Sequence, residues 1–289
     1  MKSEDLSFIC DLVYRKSAIV LDSGKDYLVE LRLSPLAVTE GYTSIEDMVR
    51  RMRETGSGEL QVKVVEALTT NETSFFRDQH PFDALRRHVV PELVRARARA
   101  RSIFVWSAAC STGQEPYSIA IILRDQFPEL GSWNVKIMAT DLSSAAVERT
   151  SKAHYRQLEI NRGLPAAFLV KYFERDGTTW RVRADVRSLV EARQLNLLDA
   201  WPAMPPVDIL MLRNVLIYFD VDTKRRILNR VRRVLAPDGF LFLGGAETTL
   251  NIDEHFQRAP IGNAVAYRLK ETEERTPLTY SRAPSVNPK

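Results

Sequence analysis

The chain predicts an α/β fold: a Rossmann-like domain with a small antiparallel β insert, preceded by a small all-helical N-terminal domain. Three observations carry this. Apolar residues recur at helical spacing from Leu6 to about Phe76, in "SFICDLVYRKSAIVL", "SIEDMVRRM" and "LQVKVVEALT". After residue 101 the period changes, and "IFVWSAA", "VKIMATD", "VDILMLR" and "GFLFLGG" alternate with helical stretches. Strands alternating with helices build parallel sheets from βαβ units. Finally, "YFERDGTTWRVRADV" alternates apolar and polar residues around an Asp-Gly pair, the pattern of a short hairpin.

The expected organisation is a helical domain over 1–78, a helical linker over 79–101 and the α/β domain over 102–270, with its insert at about 156–190. Turns are expected at "DSGKD" and "TGSG". "ETEERTPLTYSRAPSVNPK", residues 271–289, is polar and Pro-rich and reads as a disordered tail. By periodicity alone, "NETSFFR" is only the end of the helical domain. "APDGFLFLGG" reads as a helix stop, a turn and a final buried strand, chiefly structural.

Composition narrows the class. The 289 residues are 45% apolar and 27% charged, ordinary for a soluble globular protein. No run suits a membrane span, and "MKSEDLSFICDLVYRK" lacks the basic start and apolar run of a signal peptide. Two distant cysteines, Cys10 and Cys110, indicate neither a disulfide framework nor a metal site, so a cytoplasmic location is expected. Net charge is +4, with arginines clustered in "VRRMR", "RARARAR" and "KRRILNRVRR". Without interleaved aromatics these do not form a nucleic-acid motif.

The chemistry centres on "WSAACSTGQEPYSIA", a strand, a turn of small residues and a helix with Glu115 in its first turn. Open α/β sheets bind ligands at the carboxyl ends of their strands. Asp141, ending the second strand, is placed to accept both hydroxyls of a ribose; the competing reading is an N-cap, a role open to Ser143 or Ser144. Glu115 would repel a pyrophosphate and attract an ammonium or sulfonium. S-adenosylmethionine carries both, with a free ribose. "ARQLNLLD" reads as a strand ending at Asn196, Leu197 and Leu198, beside an adenine. "LRNVLIYFD" puts Arg213, Asn214 and Tyr218 at the end of the fourth strand.

Together and in this order, "TTNETSFFRD", "STGQEPYSIA", "ATDLS", "NLLD" and "RNVLIYF" resemble the chemotaxis receptor methyltransferases, the CheR family. The resemblance runs from about Leu6 to Lys270. It implies an S-adenosylmethionine-binding methyltransferase domain that esterifies glutamates on the cytoplasmic helices of chemoreceptors, releasing S-adenosylhomocysteine. The family's cofactor contacts fall on Asn71, Thr73, Arg77, Glu115, Asp141, Asn196, Leu197, Arg213 and Asn214. The resemblance also puts Arg77 and Tyr218 near the transferred methyl, and Arg50, Arg51 and Arg53 on a receptor-facing helix.

Those residue types suit the reaction. A glutamate is ionised at neutral pH and needs no general base, so no His–Asp or Cys–His pair is required. Some family members grip a receptor's C-terminal pentapeptide on a longer, glycine-rich loop than "ERDGTTWRV"; the short loop predicts independence of that peptide. A monomer without membrane insertion, nucleic acid or metal is expected. The alternatives are a catalytically silent cofactor-binding signalling module, or a methyltransferase for another substrate.

Overall fold

Helical spacing in the first domain resolves into four helices in the computed structural model, which describes residues 1–21, 24 and 26–270. They are α1 (Ser3–Ser17), α2 (Asp26–Thr39), α3 (Ile45–Thr55) and α4 (Gly58–Leu68). α3 begins where the Ser44 side chain accepts the Asp47 N–H and ends at left-handed Gly56. Its Ile45, Met48, Val49 and Met52 are buried, packed with Ile9, Leu12, Leu33 and Val64. Side chains of this kind contribute about 1.5–3 kcal/mol each on full burial. That stripe, more than propensity, holds so short a helix; a charge at Met48 would break it.

Helix α5 (His80–Ala84), a π-helical turn (Leu85–Val89) and α6 (Val90–Ala96) lead to the second domain. It runs β1 (Ser102–Ala108), α7 (Gln114–Gln126), β2 (Asn134–Asp141) and α8 (Ser144–Lys152). An insert follows: β3 (His154–Arg156), α9 (Gln157–Asn161), α10 (Ala166–Tyr172), β4 (Phe173–Asp176), β5 (Thr179–Val182) and α11 (Ala184–Arg187). The chain returns through β6 (Val190–Gln194), β7 (Val207–Leu212), α12 (Val221–Val234), β8 (Leu235–Leu243), β9 (Phe256–Ile261) and β10 (Ala264–Leu269).

The large sheet has the order β6-β2-β1-β7-β8-β10-β9. β6, β2, β1, β7 and β8 are parallel, and β10 and β9 are antiparallel. Strand order reverses at β1, so the crevice above β1, β2 and β7 is the expected ligand position. One face packs on α5, α6, α7 and the insert, through Leu85, Ile121 and Tyr155 among others. The opposite face packs on α12, through Trp106, Leu210 and Leu228. The insert forms a three-stranded sheet in which Gly177 and Thr178 join β4 to β5, as the Asp-Gly signal predicted.

Two expectations are corrected. The strand read as ending at Asn196–Leu198 stops at Gln194, and Asn196 lies in the loop beyond it. The strand read as final, β8, is followed by β9 and β10. β9 escapes notice because it is an edge strand with one buried residue in six and Pro260. The tail over 271–289 and most of "DSGKD" fall outside the described residues. Among the described residues no helix is long and apolar enough to cross a membrane.

Candidate active site

A cleft opens where β1, β2 and β7 end, roofed by the segment after α4. Its lining includes Asn71, Thr73, Arg77, Glu115, Asp141, Asn196, Leu197, Arg213, Asn214 and Tyr218. Ser17 and Ile19, at the end of α1, also line it, a contribution absent from the sequence reading. The empty space is about 890 Å³, part of it open solvent.

The turn after β1 is tightly wound. Ala109 (φ 57°), Ser111 (φ 53°) and Gly113 (φ 95°) are all left-handed, a conformation that strains the two non-glycine residues. A Cβ on Gly113 would lie 2.8 Å from the Tyr155 hydroxyl and 2.9 Å from Thr150 Oγ1, so glycine is required. Cys110 is buried in this turn, and burial pushes its thiol well above the ordinary range, which makes it inert.

Asp141 accepts the Ser111 N–H at 2.8 Å and the Ser143 N–H at 3.0 Å, one on each oxygen. Each oxygen keeps a free lone pair. Burial raises its carboxyl above the usual aspartate range, opposed by those backbone bonds. The N-cap role belongs to Ser143, whose hydroxyl accepts the Ala146 N–H at 3.3 Å.

Glu115 is not the free charge that the sequence suggested. Ser107 donates to it at 2.8 Å and Arg213 at 2.9 Å. Arg213 also donates to Asp78 at 2.7 Å and to the Arg77 carbonyl at 2.9 Å. Glu115, Asp78 and Arg213 together keep one net negative charge, so the preference for a cationic ligand survives at the level of the cluster. Asn196 is likewise engaged: its amide donates to the Lys16 carbonyl at 2.7 Å and its side-chain oxygen accepts the Leu198 N–H at 3.1 Å. What it offers a ligand is chiefly backbone.

The "NETSFFR" segment is an irregular loop. Arg32 anchors its start by donating to the carbonyls of Leu68 (2.8 Å) and Thr69 (3.0 Å). Ser111 donates to the Asn71 carbonyl at 2.8 Å. Phe75 is fully buried and packs edge-on against Tyr155, ring centroids 4.9 Å apart. Phe76 (φ 49°) and Asp78 (φ 63°) are left-handed, and Arg77, between them, donates to the Glu72 carbonyl at 2.8 Å.

Arg50, Arg51 and Arg53 are exposed on α3, away from the cleft lining. Arg50 pairs with Asp47. Arg53 donates to the Glu4 carbonyl at 2.8 Å and lies over the Phe8 ring at 4.9 Å. Among the described residues the Arg51 side chain makes no ion pair or hydrogen bond.

Comparison with known families decides the identity. A profile described as "CheR methyltransferase, SAM binding domain" matches residues 71–265, and one described as "CheR methyltransferase, all-alpha domain" matches residues 4–69. The chain belongs to the CheR methyltransferase family. Chemotaxis protein methyltransferase 1 of Pseudomonas aeruginosa is 42% identical over 257 residues, 87% of this chain and 93% of that protein. A chemotaxis protein methyltransferase of Pseudomonas putida is 39% identical over 277 residues, 93% and 100% of the two chains. The Escherichia coli relative is 36% identical over 256 residues, 86% and 85%. This CheR methyltransferase is therefore an S-adenosylmethionine-dependent protein-glutamate O-methyltransferase.

The cleft fits that cofactor. In the lining the carboxylates of Glu72, Glu115 and Asp141 outnumber the guanidiniums of Arg77 and Arg213, a balance that favours a ligand whose ammonium and sulfonium outnumber its carboxylate. Leu142, Leu195, Leu197 and Phe219 give the lining an apolar stretch, the kind of surface a planar base needs. Among the described residues Arg213 Nε is buried without a hydrogen-bond partner.

Proposed function

We propose that this enzyme methylates glutamate side chains on the cytoplasmic helices of chemoreceptors, as a cytoplasmic monomer, and needs no C-terminal pentapeptide on the receptor. The observation that carries the reading is the meeting of Arg77 and Tyr218 with Glu115, Asp141 and Arg213 around one cleft. Bound there, S-adenosylmethionine supplies an electrophilic sulfonium methyl and leaves as S-adenosylhomocysteine.

Asp141 accepts the ribose hydroxyls. Glu115 and Arg213 face the charged methionyl end, with Asn71, Thr73, Arg77 and Asn214 completing that wall. Asn196 and Leu197 flank the adenine. Arg77 and the Tyr218 hydroxyl hold the acceptor carboxylate in line. Because charge cancels as the ester forms, alignment and exclusion of water lower the barrier, and no base is needed. The helical domain assists by closing over the site: the Val20 N–H donates to the Tyr218 carbonyl at 2.9 Å. The two-residue connection between β4 and β5 supports peptide independence, since it offers little loop for a tether to pair with.

The test combines methyl-labelled S-adenosylmethionine with cytoplasmic receptor fragments bearing or lacking the C-terminal peptide, and counts methanol released by base. Equal release from both is expected. Release only from peptide-bearing fragments would overturn the independence. Cofactor binding with no label on any receptor would overturn the substrate.

A further inference from the structure

The loop that carries Asn214 and Tyr218 is held from a residue that the sequence reading did not single out. After β7 the backbone turns at Asn214, whose φ is 57°, and enters a single 3₁₀ turn, Leu216–Tyr218. Such a turn leaves several N–H groups without sheet or helix partners. Four N–H groups converge on Glu247. Its Oε2 accepts from Asn214 at 2.8 Å and Gly244 at 2.6 Å, and its Oε1 from Val215 at 2.9 Å and Ile217 at 3.2 Å. Both oxygens are thereby filled.

The topology explains how so distant a residue arrives. Leu212 and Leu243 are register partners at the ends of β7 and β8, so Gly244 leaves the sheet beside Arg213, and Glu247 follows within one turn. Space there is fully used. A Cβ on Gly244 would lie 2.7 Å from Glu247 Oε2, 2.7 Å from Asn214 Nδ2 and 2.9 Å from Asn214 N. Glu247 makes no salt bridge with any Lys or Arg among the described residues and does not line the cleft. Its charge is directed into backbone donors, the stronger, charge-assisted kind of bond.

We propose that Glu247 is a positioning residue for methyl transfer: its carboxylate sets the shape of the Asn214–Tyr218 turn and so aims Tyr218. The proposal rests on the reading that Tyr218 orients the acceptor. Glu247→Gln replaces one accepting oxygen with an NH₂ facing two N–H groups, which opens the turn without changing side-chain size. A displacement of about 1 Å at a reacting group costs up to about a hundredfold.

The test is a double-mutant cycle of Glu247→Gln with Tyr218→Phe, reading kcat, acceptor KM, cofactor Kd and melting temperature. The expected result is a fall of about tenfold or more in kcat for Glu247→Gln, with far smaller changes in KM and Kd. Most of that fall should vanish in the Tyr218→Phe background, because the two changes disable one arrangement. Equal losses in both backgrounds, an unchanged kcat, or a Glu247→Gln protein that fails to fold would each overturn the proposal. Full turnover by Tyr218→Phe alone would sink only the reading of Tyr218. The cycle would then pair Glu247→Gln with Gly244→Ala, which presses on the same turn, and independence of those two would overturn the proposal.

Discussion

Arg213 and Glu115 form a buried ion pair at 2.9 Å across the cleft floor, joining the end of β7 to the first turn of α7. The Arg213 side chain is 2% exposed and that of Glu115 is 11%. Arg213 also reaches Asp78 at 2.7 Å and the Arg77 carbonyl at 2.9 Å, so one guanidinium ties the end of β7 and the first turn of α7 to the end of the "NETSFFR" loop.

Removing that guanidinium leaves Glu115 buried without its ion partner, while Asp78, 54% exposed, stays solvated. Arg213→Ala should cost about 3–5 kcal/mol of stability, the range for breaking a buried pair from one side. Urea unfolding measures it. Adding Glu115→Gln should recover part of the loss, and a further loss instead would show that the pair is not the cause.

Asp141 titrates in an unusual direction. Burial raises its carboxyl above the ordinary value of about 3.9, so the folded protein takes up this proton more readily than the unfolded chain. The free protein therefore loses stability from this group as pH rises through the window, and regains it in acid. Cofactor binding should run the other way, weakening as pH falls through the raised value, because the ribose bonds proposed for Asp141 need the ionised form. Calorimetric titration across that window should show the decline, and Asp141→Asn should bind weakly with a flat profile.

Asp220 behaves oppositely. It caps α12 by accepting the Thr223 N–H at 2.7 Å and receives the Tyr14 hydroxyl at 2.6 Å. The Tyr14 hydrogen bond and the cap bond hold its carboxyl below the ordinary range. That contribution is complete above the unfolded value and is lost as pH falls through the depressed one. Asp220→Ala should cost about 1 kcal/mol at neutral pH, as caps do. The gap to the parent protein in urea should close in strong acid.

The arginines of α3 should separate by function. Arg51 is exposed and unpaired among the described residues, whereas Arg53 binds Glu4 and Phe8 within its own domain. Arg51→Ala should slow methylation of receptor fragments by a few-fold at low salt, and the effect should fade as salt screens it. Arg53→Ala should lower the melting temperature instead. A salt-independent effect of Arg51→Ala would remove it from the docking surface.

The chemistry-bearing strand ends are legible in the sequence. Asp141 and Arg213 each follow a run of buried apolar residues, and the sheet rule places such residues at one edge. The "NETSFFR" loop was visible only through family resemblance. It has no period to read, because Phe75 and Phe76 are fixed by rings from the insert and linker, including Tyr155 and Phe82, rather than by neighbours in sequence. The edge strand β9 was hidden for the converse reason: with one neighbour and little burial, it needs few apolar residues.

Local pattern alone determined the helical first domain, the parallel core of the sheet, the hairpin at Asp176–Gly177 and the meeting of Glu115 and Asp141 at one sheet edge. These depend on spacing and on which residue follows a strand, both written along the chain. Only the tertiary structure decided that Glu115 shares its charge with Arg213, that the Asn196 amide is spent on Lys16, and that Glu247 gathers four N–H groups from 30 or more residues upstream and from Gly244 beside it. Hydrogen bonds and ion pairs depend on distance through space. The strand register that brings Leu243 beside Leu212 sets those distances only after the sheet has formed.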